Sequence, residues 1–312
     1  MIGVVFSNCQ KEVKTEYVLP DSTYTDRLQF VLKYNPTQFG NFYNILVNHD
    51  LADELSTPGP FTVFVPNNDA LIYTTDMPDI AHYIFSGGFT LGQLKPGDET
   101  TLHGSDGYKL SCRAYSYGNG VRYTANGVLL QVADETASNG YIHVLNGQIP
   151  AITYPTCLSC VDGIPAFTTF AYALKRSHLD VLLKDSASVY SVLAPTNDAF
   201  LAAGIDIDSV SRQDPDSLAA IIKYHILKGR FYSYDIISQY KGDGINVDTL
   251  RIPTLADSPM RVVIYTNGSQ DPKDYGFQFV GSNGATSGQG LYQAPYPAGS
   301  GVVRYIDLFL KP

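Results

Sequence analysis

The chain has 312 residues, 44% hydrophobic and 16% charged, enough for two cores at about 150 residues per domain, and this composition argues against long-range disorder. A formal net charge of −9, from 21 Lys and Arg against 30 Asp and Glu, repels phosphate backbones and anionic lipid, which excludes nucleic-acid binding through a basic footprint. No apolar run approaches the roughly 20 residues of a membrane span, and 27 Gly, 18 Pro and 23 Tyr without a Trp favour short strands and tight turns over helical bundles.

The chain opens with the apolar run Ile2 to Phe6, then Ser7, Asn8 and Cys9. A lipoprotein signal ends this way, so Cys9 is the expected lipidation site. The run carries no basic start and is shorter than the roughly 7–15 residues of a full signal, so the start reads as truncated. Residues 10–22, with Lys11, Glu12, Lys14 and Glu16, show no apolar period and read as a polar tether. Residues 1–23 are therefore set apart from the folded part.

Apolar residues at three- and four-residue steps predict an amphipathic helix over residues 42–55. A buried strand follows at residues 61–65 and ends at Pro66, which lacks a backbone donor. Asn67 is a helix N-cap, Asn68 completes the motif, and Asp69 sits in the first turn, where a negative charge suits the helix dipole. Tyr108 to Tyr115 and Gly127 to Ala133 read as strands, and Asn-Gly pairs at 119–120, 126–127, 139–140, 146–147, 267–268 and 283–284 signal hairpins. Pro155 marks the expected junction.

Beyond it the pattern repeats. An amphipathic stretch spans 167–183, and Tyr190-Ser-Val-Leu-Ala-Pro-Thr-Asn-Asp-Ala-Phe200 restates Phe61-Thr-Val-Phe-Val-Pro-Asn-Asn-Asp-Ala-Leu71 at an offset of 129 residues, with Pro195, Asn197 and Asp198 replacing Pro66, Asn68 and Asp69. Residues 221–231 align with 79–89 at an offset of 142, so that Tyr224-His225 faces an inverted His82-Tyr83. Residues 300–310 align with Asn139-Gly-Tyr-Ile-His-Val-Leu-Asn-Gly-Gln-Ile149 at an offset of 161, a weaker match that carries Arg304 and Asp307. The growing offset places insertions at about 242–300.

Little in the chain reads as chemistry. Asp69 and Asp198 form a conceivable carboxylate pair, but local capping accounts for each. His49, His82, His103, His143, His178 and His225 are scattered, without a His-x-x-x-His pair. Asp206-Ile-Asp208 and Asp214-Pro-Asp216 lack the oxygen spacing of a calcium loop. There is no Gly-x-Ser-x-Gly elbow and no phosphate loop. Cys157-Leu-Ser-Cys160 has redox or metal spacing without a second pair, and Cys112 stands alone, so a structural role is expected for the three and their pairing stays open. The reading is of a protein with no enzyme activity, metal or cofactor.

Together the strand–Pro–Asn/Thr–Asn–Asp–Ala–Phe/Leu block, Tyr224-His225 and the closing Asn139 block resemble fasciclin-type domains over about residues 24–151 and 163–312. The resemblance implies an α+β protein of two tandem domains, 24–155 and 160–312. Each would be a wedge-like β-sandwich or partial barrel flanked by short helices. It also implies non-catalytic adhesion or binding at the cell surface. In animal members the stretch around the Tyr-His pair is linked to integrin recognition; a generic binding role at Tyr224 and His225 is what carries over. With Cys9, the expectation is an outer-membrane lipoprotein of the cell envelope, exposed at the surface or to the periplasm, whose partner is an extracellular protein, matrix or polysaccharide. The alternative is an accessory glycan-binding lipoprotein of an outer-membrane nutrient-uptake system, stacking sugars on Tyr265, Tyr275, Tyr292 and Tyr296.

Overall fold

Leu28, Val31 and Leu32 recur at helical steps and are fully or almost fully buried, so the described chain begins with helix α1 (Leu28–Tyr34). The computed structural model describes residues 26–312 apart from 75, 78, 118–119, 240–246, 267–274, 283 and 288–294. Cys9, the tether, Tyr292 and the hairpin signals at Asn119, Asn267-Gly268 and Asn283 lie outside the described residues.

Helix α2 (Pro36–Asn48) starts on a proline, whose missing N–H costs nothing in a first turn, and buries Phe39, Phe42, Ile45 and Leu46. The amphipathic stretch predicted to run to Leu55 is broken. Asp50 turns left-handed at φ 58°, and the amides of Asp50 and Leu51 reach back to the carbonyls of Val47 and Leu46. These are the crossed bonds of a Schellman stop. A separate 3₁₀ turn then covers Glu54–Ser56.

Seven strands follow: β1 (Phe61–Pro66), β2 (Ile84–Ser86), β3 (Glu99–His103), β4 (Lys109–Tyr117), β5 (Gly120–Ala125), β6 (Val128–Ala137) and β7 (Gly140–Leu145). They form one nearly closed, barrel-like sheet in the order β2-β1-β7-β6-β5-β4-β3. Every pairing is antiparallel except β1 with β7, which run parallel from Phe61↔Gly140 to Pro66↔Leu145. The opening and closing motifs are thus neighbours inside the sheet, next to its β2 end.

The second half repeats this plan. Helices α3 (Cys157–Gly163), α4 (Thr168–Arg176) and α5 (Asp180–Lys184) precede β8 (Tyr190–Pro195). The stretch predicted over 167–183 is also cut, by His178 at φ 59° and the return of the His178 and Leu179 amides to Lys175 and Leu174. Then come α6 (Asn197–Ala202), α7 (Ile207–Arg212), α8 (Pro215–Ile222), β9 (Ile226–Lys228) and α9 (Ser233–Ile237). Strands β10 (Val247–Ile252), β11 (Met260–Tyr265), β12 (Gly276–Val280), β13 (Tyr296–Ala298) and β14 (Gly301–Ile306) complete the chain. Strand β14 pairs parallel with β8 from Gly301↔Tyr190 to Ile306↔Pro195, as β7 does with β1. Here the described strands form two sheets, β13-β14-β8-β9 and β10-β11-β12.

One apolar cluster runs from Leu28 to Ile149 within the first repeat. Two more fill the second, one beginning at Cys157 under α3 and one between β10–β12, α9 and the chain end. Among the described residues no single helix is long and apolar enough to cross a membrane.

Candidate functional site

The signature residues occupy equivalent places in both repeats, and all but Asp69 and Asp198 bond or pack within the fold. Asn67 Oδ1 receives the amide of Ala70 at 2.8 Å, and Thr196 Oγ1 that of Ala199 at 3.1 Å, each capping the turn after its strand. Asn68 donates to the carbonyl of Pro36 at 2.8 Å and receives the amide of Asn41 at 3.0 Å. Asn197 donates to the carbonyl of Pro165 at 3.0 Å and receives the amide of Thr169 at 3.0 Å. Each asparagine therefore ties the end of a core strand to the start of a helix. Pro66 and Pro195 are buried at the strand ends, while Asp69 and Asp198 are exposed in first turns, each in its own repeat.

The Tyr-His pair is also packed. Tyr224 is 3% exposed, with its hydroxyl 3.4 Å from the carbonyl of Val280. His225 is fully buried: Nδ1 donates to the carbonyl of Ile221 at 3.3 Å, and Nε2 accepts the amide of Leu310 at 3.2 Å. Its ring lies 5.1 Å from that of Phe309. Burial lowers its pKa to about 4, which keeps the ring neutral.

The inversion in the first repeat keeps the same job. Tyr83 stands where His225 stands, and its hydroxyl accepts the amide of Ile149, the counterpart of Leu310, at 2.8 Å. His82 goes to the surface instead, stacked 3.9 Å from the Tyr108 ring and 2.8 Å from Asp106. A second buried histidine, His143 on β7, accepts the amide of Asp134 at Nδ1 and donates to the carbonyl of Phe89 at Nε2. Burial brings its pKa down to about 4, against the opposing pull of Asp134.

The three described cysteines are buried free thiols. Cys157 opens α3 with its amide on Ser300 Oγ at 2.9 Å. Burial pushes the Cys157 thiol up to about 11 and that of Cys160 up to about 12, and raises Cys112 as well. Thiols so disposed are poor nucleophiles. Among the described residues no group of three or more His, Cys, Asp or Glu is gathered to hold a metal. Asp206 and Asp214 cap α7 and α8 by accepting the amides of Ser209 and Ser217. Of the tyrosines considered for sugar stacking, Tyr275 is buried, Tyr265 is half-buried over Gly276, and Tyr296 is exposed with its edge toward Phe167. A groove of about 650 Å³ lies beside the start of β7, lined by Arg27, Gly59, Pro60, Asn139 and Tyr141 among others.

Sequence reasoning missed a polar cluster where the repeats meet. On the first repeat, Glu99 pairs with Arg113 at 2.6 Å, and Arg113 lies 5.5 Å from the centre of the Phe231 ring of the second. Tyr115 donates its hydroxyl to Asp235. The other oxygen of Asp235 accepts the amide of Tyr232 at 2.7 Å, closing the cap of α9. Arg304, 3% exposed, reaches Ser233 Oγ at 3.2 Å and lies over Phe277. Burial holds Asp235 up at about 6 despite Arg113, and brings Arg304 down to about 10. The one signal available beforehand was Arg304 itself, which departs from the closing motif where the first repeat has His143.

A duplicated α+β unit, with its first and last strands paired in parallel and its signature asparagines bonded within the fold, defines a class of tandem-domain protein. The fasciclin domain model matches residues 37–149 and 165–312, and the chain belongs to that family with two copies in tandem. It is 27% identical over 221 residues to transforming growth factor-beta-induced protein ig-h3 of Sus scrofa, covering 66% of this chain and 30% of that protein. The Oryctolagus cuniculus protein of the same name is 26% identical over 222 residues, with the same coverage. Protein sll1483 of Synechocystis is 29% identical over 112 residues, 31% of this chain and 58% of that one. The chain thus spans 30% of the length of the ig-h3 relatives. Among solved structures, a FAS1 domain pair from the insect cell adhesion molecule fasciclin I aligns over 87% of this chain and 96% of its own, at 15% identity and a TM-score of 0.38.

Proposed function

We propose that the chain is a non-catalytic cell-surface binding protein, an adhesive head of two fasciclin domains, 24–155 and 160–312, held to the envelope by lipid on Cys9. Fasciclin domains are typically found in cell adhesion proteins. The observation that carries the reading is the inward use of the signature: Asn68, Asn197, Tyr83 and His225 are all bonded to backbone within the fold. Recognition is then left to the outer surface, and Tyr224 and His225 support it from within.

One surface feature recurs in both domains. The residue after Leu71 and its counterpart after Phe200 are both large, apolar and exposed: Ile72 at 66% and Leu201 at 63%, with Tyr73 at 94% beside the first. A position that presents the same chemistry twice suits a partner engaged by both domains, with avidity beyond either contact alone.

The test is attachment of cells and matrix proteins to the immobilised full chain, with soluble polysaccharide as competitor. Saturable attachment that polysaccharide does not displace, and that falls at least tenfold in the Ile72→Asp, Leu201→Asp double variant, is the expected result. Displacement by polysaccharide, with matching heat in titration calorimetry, replaces the protein partner by a glycan. Turnover of ester or glycosidic substrates that survives purification sinks the non-catalytic reading. For the anchor, metabolic labelling with an alkyne fatty acid in a precursor carrying a full signal should mark the native chain and not Cys9→Ala.

A further inference from the structure

The shelf after β9 in the second repeat, Arg230 to Asp235, is covered by the first repeat. Its counterpart in the first repeat, Gly88 to Gln93, is open. Both shelves hang on the core strand by the same pair of bonds. Ser191 Oγ donates to the carbonyl of Gly229 and accepts the amide of Phe231, as Thr62 Oγ1 does with Gly87 and Phe89. The framework is shared, but the side chains are not: Arg230, Tyr232 and Asp235 stand where the first repeat has Gly88, Thr90 and Gln93. Phe89 is 41% exposed, whereas Phe231 lies under Arg113. The polar residues of the second shelf are therefore not a requirement of the domain fold.

What covers that shelf is shaped to meet it. The β5–β6 hairpin turns on Asn126-Gly127, and a Cβ at Gly127 would sit 2.2 Å from that of Tyr232. Glycine alone allows the two repeats to come this close. Tyr115 completes the contact by placing its hydroxyl between Asp235 and Thr124 Oγ1, the latter at 3.1 Å. Tyr115, Tyr232 and Asp235 are each at most 9% exposed.

We propose that the two fasciclin domains are locked into one rigid head by this polar seam, with Asp235 as the residue that joins them. The seam is independent of what the head binds. Asp235 faces Arg113 and Tyr115 of β4, Glu99 of β3 and Arg304 of β14, with the Tyr232 amide on its own segment; β12, which also packs on α9, brings no titratable group. A carboxylate buried there carries its proton to a higher pH than it would in an open seam. Closure is then strongest in acid and weakens as pH rises through about 6, by about tenfold between pH 5 and pH 7.

The experiment is small-angle X-ray scattering of the full chain at pH 5 and pH 7, with calorimetry at pH 7. The native chain should scatter as one rigid body and melt in one transition. Tyr115→Phe removes a hydroxyl and no packing, so it leaves each domain folded; it should lengthen the maximum dimension and split the transition. In that loosened background the dimension should shorten at pH 5, and adding Asp235→Asn should abolish the difference. Two independent transitions in the native chain, or a Tyr115→Phe variant indistinguishable from it, overturn the proposal. A pH response that survives Asp235→Asn removes Asp235 from the role.

Discussion

Tyr83 and His225 show how one structural task can be met by two side chains. Each lies just before a short strand, and each accepts the amide that follows the closing strand of its repeat. Removing either acceptor leaves a buried N–H unsatisfied, at a cost of about 1–3 kcal/mol. Tyr83→Phe should therefore lower thermal stability by that amount while preserving the secondary structure seen by circular dichroism. The histidines also predict how the core answers acid. His143 and His225 have pKa values lowered to about 4, so the unfolded chain binds protons more readily than the folded one between about 4 and 6.5. Their contribution is complete above that window and is lost as pH falls through it, about 2 kcal/mol for each at pH 5. Urea titrations at pH 7 and pH 5 should show the loss, and His225→Gln should reduce it by about half. At this scale the cap Asn67 was legible because it acts locally, on the amide of Ala70, whereas Asn68 and Asn197 bond carbonyls 32 residues away, a task no local pattern marks. The shared task of Tyr83 and His225 was not legible either, because their inverted order hides that they accept equivalent amides.

Strands and helices were legible to unequal degrees. The buried runs at 61–65 and 190–194 and the closing motifs emerged as paired interior strands of their sheets. Their parallel pairing did not emerge, because a run buried on both faces carries no mark of direction. The helical stretches were drawn too long for a related reason. Apolar periodicity continues past Asp50 and His178, and nothing about a histidine announces that it will take a left-handed helix stop. One residue type fills a role that the hairpin signal at Asn139-Gly140 does not state. Gly140 and Gly301 open the closing strands, and a Cβ there would lie 2.1 Å from the carbonyl oxygen of Phe61 and 1.8 Å from that of Tyr190. Gly301→Ala must push β14 away from β8, and we expect a loss of about 3 kcal/mol, read as a lower urea midpoint. Gly204→Ala makes a useful control: no atom lies within 4 Å of an added Cβ, so it should cost only the strain of a positive φ.

For the molecule as a whole, duplication was legible and docking was not. Tyr115 and Asp235 are 120 residues apart, in stretches that follow no common pattern, and neither belongs to a motif. Only Arg304 broke the repeat enough to be noticed. The lipidation proposed at Cys9 belongs to this scale as well, since an anchored head would act at a surface and an unanchored one in free solution.

The side-by-side placement of first and last strands has an architectural consequence. In each domain the polypeptide starts its first strand and ends its last at opposite ends of one parallel pair, as a thread passes through a bead. Copying such a bead lengthens the string without rethreading any existing one, and sequence can be inserted between β9 and β14 without breaking the β14–β8 pairing. Clipping the final dozen residues is a different matter. It withdraws the central stave of the second bead, leaving β8 bare along the side that β14 had covered.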